Sequence, residues 1–175
     1  MANLTTELLY QEFDRQINNL LEKKYPEFLN ISQEEFLSLV NPLKNKLSEL
    51  TLSEVNLEDG LLPFVIVVKS SLIDSETTMS LTNKSGKNGV TILRPHTSSN
   101  FKTIENVKLP ESDIYLLIDI NRGKDTLNLP PSQAIERIYS VNRSPLTIDE
   151  GIAIITHFPE FLIKNNCFSL LASRT

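Results

Sequence analysis

The sequence predicts an α+β fold: N-terminal helices packed on a mixed, mostly antiparallel sheet, with two short helices in the C-terminal half. Three observations predict it. Apolar residues recur at helical spacing through the first 50 positions; continuous Val/Ile/Leu-rich runs lie at 61–69 and 114–120; and a helical pattern returns after Thr147. At 175 residues the chain suits one domain over 1–175, with a helical part over about 1–55 and a sheet-containing part over about 60–175.

The elements follow in order. Leu9, Phe13, Ile17 and Leu20 form the apolar stripe of a first helix, with Asp14, Arg15, Asn18 and Asn19 between them. Ser32 and Glu35 make a capping box, each side chain satisfying the other's free backbone N–H. Beyond it Phe36, Val40, Leu43, Leu47 and Leu50 form a second stripe. Pro42 either kinks one helix or starts a new one capped by Asn41. The stripe fits the core face of a helix; a seam for self-association is the alternative, although two heptads are short for one.

Leu61–Lys69 reads as a strand buried on both faces. Met79–Thr82 and Val90–Leu93 are short strand candidates, and Asn83–Gly89 between them suits a hairpin turn. Ile114–Ile120 is a second buried strand. Pro130-Pro131-Ser132 opens a short helix through Tyr139, with Ser132 as cap. Thr147 and Glu150 form another capping box, opening a helix that Pro159 stops. Asn166–Ala172 reads as a final strand.

Composition narrows the function. With 40% hydrophobic and 22% charged residues the chain is a folded protein. A net charge of −5 argues against nucleic acid, which needs clustered Lys and Arg. The longest apolar runs fall far short of the ~20 residues of a membrane span. The N-terminus lacks a signal-peptide pattern, and a single cysteine fits a reducing compartment, so a cytoplasmic protein is expected.

Few residues carry catalytic chemistry. The only histidines are His96 and His157, and the only cysteine is Cys167. His157 with Cys167 or Asp119 would give a hydrolase or transferase if the fold brought them together. The structural reading is that Cys167 packs as a small apolar side chain and that His157 bonds the last carbonyls of its helix. Asp113, Asp119, Asp149 and Glu150 match no calcium loop, and no zinc spacing occurs, so neither a metal nor a cofactor is expected. Ser85-Gly-Lys-Asn-Gly89 lacks the spacing of a phosphate loop. Between Glu76 and Glu105 there is no acidic residue, while Lys84, Lys87, Arg94, His96 and Lys102 occur. That segment suits a small anion or an acidic face of a protein partner; the alternative is a solvated hairpin edge. Gly151, one turn into a helix, predicts close approach of another backbone or a ligand, because glycine there costs about 1 kcal/mol relative to alanine.

Arg143-Ser-Pro-Leu-Thr-Ile-Asp-Glu-Gly-Ile-Ala153, Thr156-His-Phe-Pro-Glu160 and Lys164-Asn-Asn-Cys-Phe-Ser-Leu-Leu-Ala-Ser-Arg174 resemble the signature of an actinobacterial and cyanobacterial family of unknown function. Pro63–Val68 and Tyr115–Asp119 are similar to its earlier blocks. The resemblance covers the chain from about Leu61 onward and implies no activity. It implies a further C-terminal segment rich in Trp, Gly and Cys, which this chain lacks, so a truncated or reduced member is one expectation and a complete protein without that segment the other. The leading functional expectation is a non-catalytic binding module for a protein or small anionic ligand. An enzyme, or a homo-oligomer built on the 36–50 stripe, is the alternative.

Overall fold

The computed structural model describes residues 4–175 and has the α+β architecture expected. Helix α1 (Thr6–Glu22) is capped by Thr5, whose Oγ1 accepts from Leu8 N at 3.3 Å. The short α2 (Tyr25–Leu29) turns the chain into α3 (Gln33–Leu47). The Ser32–Glu35 box forms in both directions, Glu35 N donating to Ser32 Oγ at 3.1 Å and Ser32 N to Glu35 Oε2 at 2.7 Å. Helix α3 runs unbroken through Pro42, which decides between the two readings of that proline. Pro42 and Ser38, whose carbonyl it leaves unpaired, are both exposed, so water satisfies what the helix cannot.

Strand β1 (Leu61–Val68) pairs with β5 (Ile114–Asn121) in an antiparallel ladder running from Leu61 opposite Asn121 to Val68 opposite Ile114. β1 has a core on each face. Phe64, Ile66 and Val68 join Phe13, Ile17, Phe36 and Val40 of the N-terminal helices. Leu62, Val65 and Val67 face Ala153 and Ile154 of α6 (Ile148–His157) together with Phe161. This two-sided burial is why β1 reads as an unbroken apolar run instead of an alternating one. The stripe Phe36, Val40, Leu43 and Leu47 is occupied inside the first core, so it is not free to form a seam with a second copy.

Between β1 and β5 the chain departs from the expected strands. Residues 75–80 form helix α4 (Ser75–Ser80), not a strand, because Asp74 caps it by accepting from Thr77 N at 2.9 Å. The hairpin exists only at its tip, β2 (Asn83–Lys84) against β3 (Lys87–Asn88), with Ser85 and Gly86 at φ 52° and 78°. Val90 and Ile92 leave the ladder and are 71% and 80% exposed. Their β propensity finds no facing strand to pack on. β4 (Lys102–Thr103) pairs with β6 (Ser173–Arg174), so the final strand is two residues long and lies after the expected 166–172.

β5 is less buried than expected: Ile118 is 42% exposed and Asp119 is exposed. Helix α5 (Pro131–Ser140) starts at Pro131 after Pro130, with no side-chain cap, so Ser132 is not its cap. α6 has its capping box, Thr147 N donating to Glu150 Oε2 at 2.7 Å. Pro159 opens a 3-10 turn immediately after it.

Candidate functional site

Two polar assemblies stand out, a closed seam and an open cleft. The seam starts from Gln16, which falls on the apolar stripe of α1, three residues after Phe13 and four before Leu20, and is wholly buried. Its side chain pairs with the free edge of β1: Ile66 N donates to Oε1 at 2.9 Å, and Nε2 donates to Phe64 O at 3.1 Å. One carboxamide thus stands in for a neighbouring strand.

Beside it, His157 Nε2 lies 3.2 Å from Ile66 O. A carbonyl can only accept, so Nε2 carries the proton and Nδ1 is left to accept from Asn19 Nδ2 at 3.3 Å. Asn19 also donates to Thr156 O at 2.8 Å, and Arg15 Nη2 to His157 O at 3.1 Å. The last carbonyls of α6 are therefore capped by α1. The imidazole turns instead to β1, which corrects the expectation that it bonds its own helix end. Burial first, then the nearby Arg15 and Lys23 charges, push His157 down to about 3, partly opposed by its bond to Ile66 O. It is neutral, and both nitrogens are engaged.

The acidic residues are likewise engaged. Buried Glu150 accepts from Tyr115 Oη at 3.0 Å, and Asp149 accepts from Ser70 N at 2.9 Å and Ser75 Oγ at 2.9 Å. Asp113 accepts from Ser71 Oγ at 2.8 Å. Among the described residues no group of three or more His, Cys, Asp or Glu could hold a metal ion.

The cleft has a volume of about 440 Å³ and lies between the end of β5, the turn over 121–129, α5 and the segment 166–171. Arg122 is its unusual wall residue. The strand places it just past the end of the β1–β5 ladder, and the residue is only 9% exposed. Nη2 donates to Leu57 O at 3.1 Å and Phe161 O at 2.9 Å, and the guanidinium lies 4.4 Å from the centre of the Phe161 ring. Gly60 has to be glycine, since a Cβ there would stand 2.7 Å from Arg122 Cβ and φ is +73°. Nε is buried without a partner, and among the described residues no carboxylate pairs with this guanidinium. Burial lowers its pKa, the direction expected of a cation short of counter-charge.

The other charges near the cleft are matched. Arg143 Nη1 pairs with Asp119 Oδ2 at 2.6 Å, and Arg137 Nε with Asp125 Oδ2 at 3.6 Å. Apolar side chains on the cleft wall remain open, Leu127 at 59%, Leu129 at 39% and Val141 at 46%.

The expected site residues are dispersed. His157 is buried in the seam, Asp119 is held by Arg143, and Cys167 is exposed on the cleft wall, not packed in a strand. Among the described residues no hydrogen bond joins any two of these three groups. In the positive segment, Lys84 Nζ is tied to Leu162 O and to Glu160 at 3.4 Å. Lys87, Arg94 and Lys102 are exposed, and His96 sits edge-on to Phe101 at 6.2 Å. None of them lines the cleft. At Gly151 the close neighbour is neither backbone nor ligand: a Cβ would stand 2.3 Å from Leu170 Cδ2. Sequence reasoning missed Gln16 and Arg122. A glutamine on an apolar stripe was the available signal for the first; nothing local marked the second.

The chain belongs to the family of unknown function DUF5701, which matches residues 19–175. Neither curated proteins nor solved structures give a significant match.

Proposed function

We propose that the chain is a single, non-catalytic α+β domain of the cytoplasm that binds a small anionic ligand in the cleft walled by Arg122. The observation that carries this reading is that Arg122, a residue of the cleft wall, has no carboxylate partner among the described residues. Removing a cation from water costs several kcal/mol unless an anion or a full set of acceptors compensates. Two backbone carbonyls and the face of the Phe161 ring supply part of that compensation, and an anion in the cleft would add an opposite charge nearby. This reading places the anion site away from the 84–102 segment, whose cations do not line the cleft.

The test is a titration with acetate, benzoate, succinate and inorganic phosphate, followed by backbone amide shifts. At least one anion should move the resonances of 121–129 and 166–171, and Arg122→Met should abolish the movement. Shifts confined to Lys84, Lys87, Arg94 and Lys102 would return the site to the positive segment.

A further inference from the structure

We infer that the outer edge of β5 is a self-docking surface, on which a second copy of the chain adds its own β5, antiparallel, across a two-fold axis. The hydrogen-bond register locates the edge. Lys69 N donates to Asp113 O at 2.9 Å, so Asp113 faces β1, and with it Tyr115 and Leu117. Leu116 and Ile118 then direct their N–H and C=O groups away from β1, and among the described residues these groups have no partner. The same alternation turns Phe64 O and Ile66 N outward on β1, where Gln16 engages both. One edge of this two-stranded sheet is thus closed by a carboxamide, and the other is open. The open stretch is bounded at both ends. Ile114 O accepts from Ser112 Oγ at 2.6 Å, and Asp119 O accepts from Arg143 Nη2. Between these ends Ile118 is 42% exposed.

Two observations favour a second copy as the occupant. The first is that the stretch complements itself. Antiparallel pairing centred on Leu117 sets Leu116 opposite the partner's Ile118, and Ile118 opposite the partner's Leu116. Both are hydrogen-bonded pairs, so each open N–H and C=O meets a group of the right kind. The partner's Leu116 side chain then lies beside the exposed Ile118. The second observation is charge. Exposed Glu111 and Asp113 precede the strand, while Lys124 follows it, its side chain 81% exposed and 3.8 Å from its only carboxylate contact, Asp59. Antiparallel pairing brings the acidic flank of one copy against the basic flank of the other, with Glu111 opposite Gly123 and next to Lys124. An unrelated extended peptide would need the same flanking charges at the same spacing to match. So short a ladder is a small contact, and the dimer is therefore concentration-dependent.

The experiment is sedimentation equilibrium on the intact chain up to about 1 mM, the weak end of measurable association, with amide hydrogen exchange read at both ends of the range. A dimer should form, and the Leu116 and Ile118 amides should gain protection with it. Ile118→Lys, at an exposed position, should raise the dimer Kd at least about tenfold, since a charge on a strand edge opposes pairing. The register is tested separately in a Cys167→Ser background. Leu117→Cys meets its own mate in a non-hydrogen-bonded pair, with Cα atoms about 4.5 Å apart, and should form a covalent dimer with oxidised glutathione. Ile118→Cys lies opposite Leu116 and should not. A monomer at every concentration would overturn the proposal, even if an added extended peptide protected the same amides, since the occupant would then be another chain. So would a dimer that leaves those amides unprotected, one that is unaffected by Ile118→Lys, or one in which Ile118→Cys crosslinks as readily as Leu117→Cys.

Discussion

The seam and the cleft use the same chemistry to opposite effect. In the seam, Gln16, Asn19 and His157 are polar groups at or near the core, and each nitrogen and oxygen that faces another element meets a partner of the right kind. On the cleft wall, Arg122 is less deeply placed, and its Nε has no partner and its charge no carboxylate. A satisfied polar network holds elements together; a buried polar atom without a partner costs free energy. That contrast is why the proposed function rests on the cleft and not on the histidine.

The largest expected effect tests the seam. Gln16→Leu strands Ile66 N and Phe64 O in the core, and at ~1–3 kcal/mol for each buried group left without a partner it should cost about 3 kcal/mol in chemical denaturation. A loss below about 1 kcal/mol would mean that the β1 edge is satisfied by other means.

Acid should reach the seam next. His157 has a folded-state pKa of about 3, below its unfolded value near 6.5. Between those values the unfolded chain binds the proton and the folded chain does not, so lowering the pH favours unfolding. This contribution is fully present above pH ~6.5 and falls by about 1.4 kcal/mol per pH unit below it, about 2 kcal/mol by pH 5. Stability against pH for wild type and His157→Asn checks it: the variant should lose about one proton's worth of slope between pH 6 and 4. Parallel curves would show that the imidazole is not held neutral.

For the cleft, Arg122→Met without ligand should change stability by no more than about 1 kcal/mol, because freeing a desolvated cation offsets the loss of two bonds to carbonyls. A cost near that of Gln16→Leu would erase the distinction between the two regions and make Arg122 a structural residue. The smallest effect is at Gly151. Alanine there gains about 1 kcal/mol of helix propensity but must displace Leu170, whose Cδ2 stands 2.3 Å from the new Cβ. The net change should stay below about 1 kcal/mol, and the same substitution should be clearly stabilising beside Leu170→Ala. Destabilisation in both backgrounds would point to a neighbour other than Leu170.

Local chemistry was legible. The capping boxes at Ser32–Glu35 and Thr147–Glu150 were readable because a cap is settled within four residues, and β1 because two-sided burial requires an apolar run. Val90–Leu93 and Asn166–Ala172 depart from the expected strands because a strand exists only where a partner edge is in register, which composition does not reveal, and Met79–Thr82 because Asp74 caps a helix there. Cys167 is exposed for the same reason: its segment joins no ladder and lies along the cleft instead.

By itself, then, the sequence determined the α+β class, the two capping-box helix starts and the two-faced strand, all set by periodicity and by bonds within a turn or two. Only the tertiary structure decided that Gln16 substitutes for a strand 48 residues away, that His157 is buried and neutral, and that Arg122 is left unmatched. Those are properties of partners brought together from distant parts of the chain. Whether a polar side chain is satisfied depends on what arrives beside it.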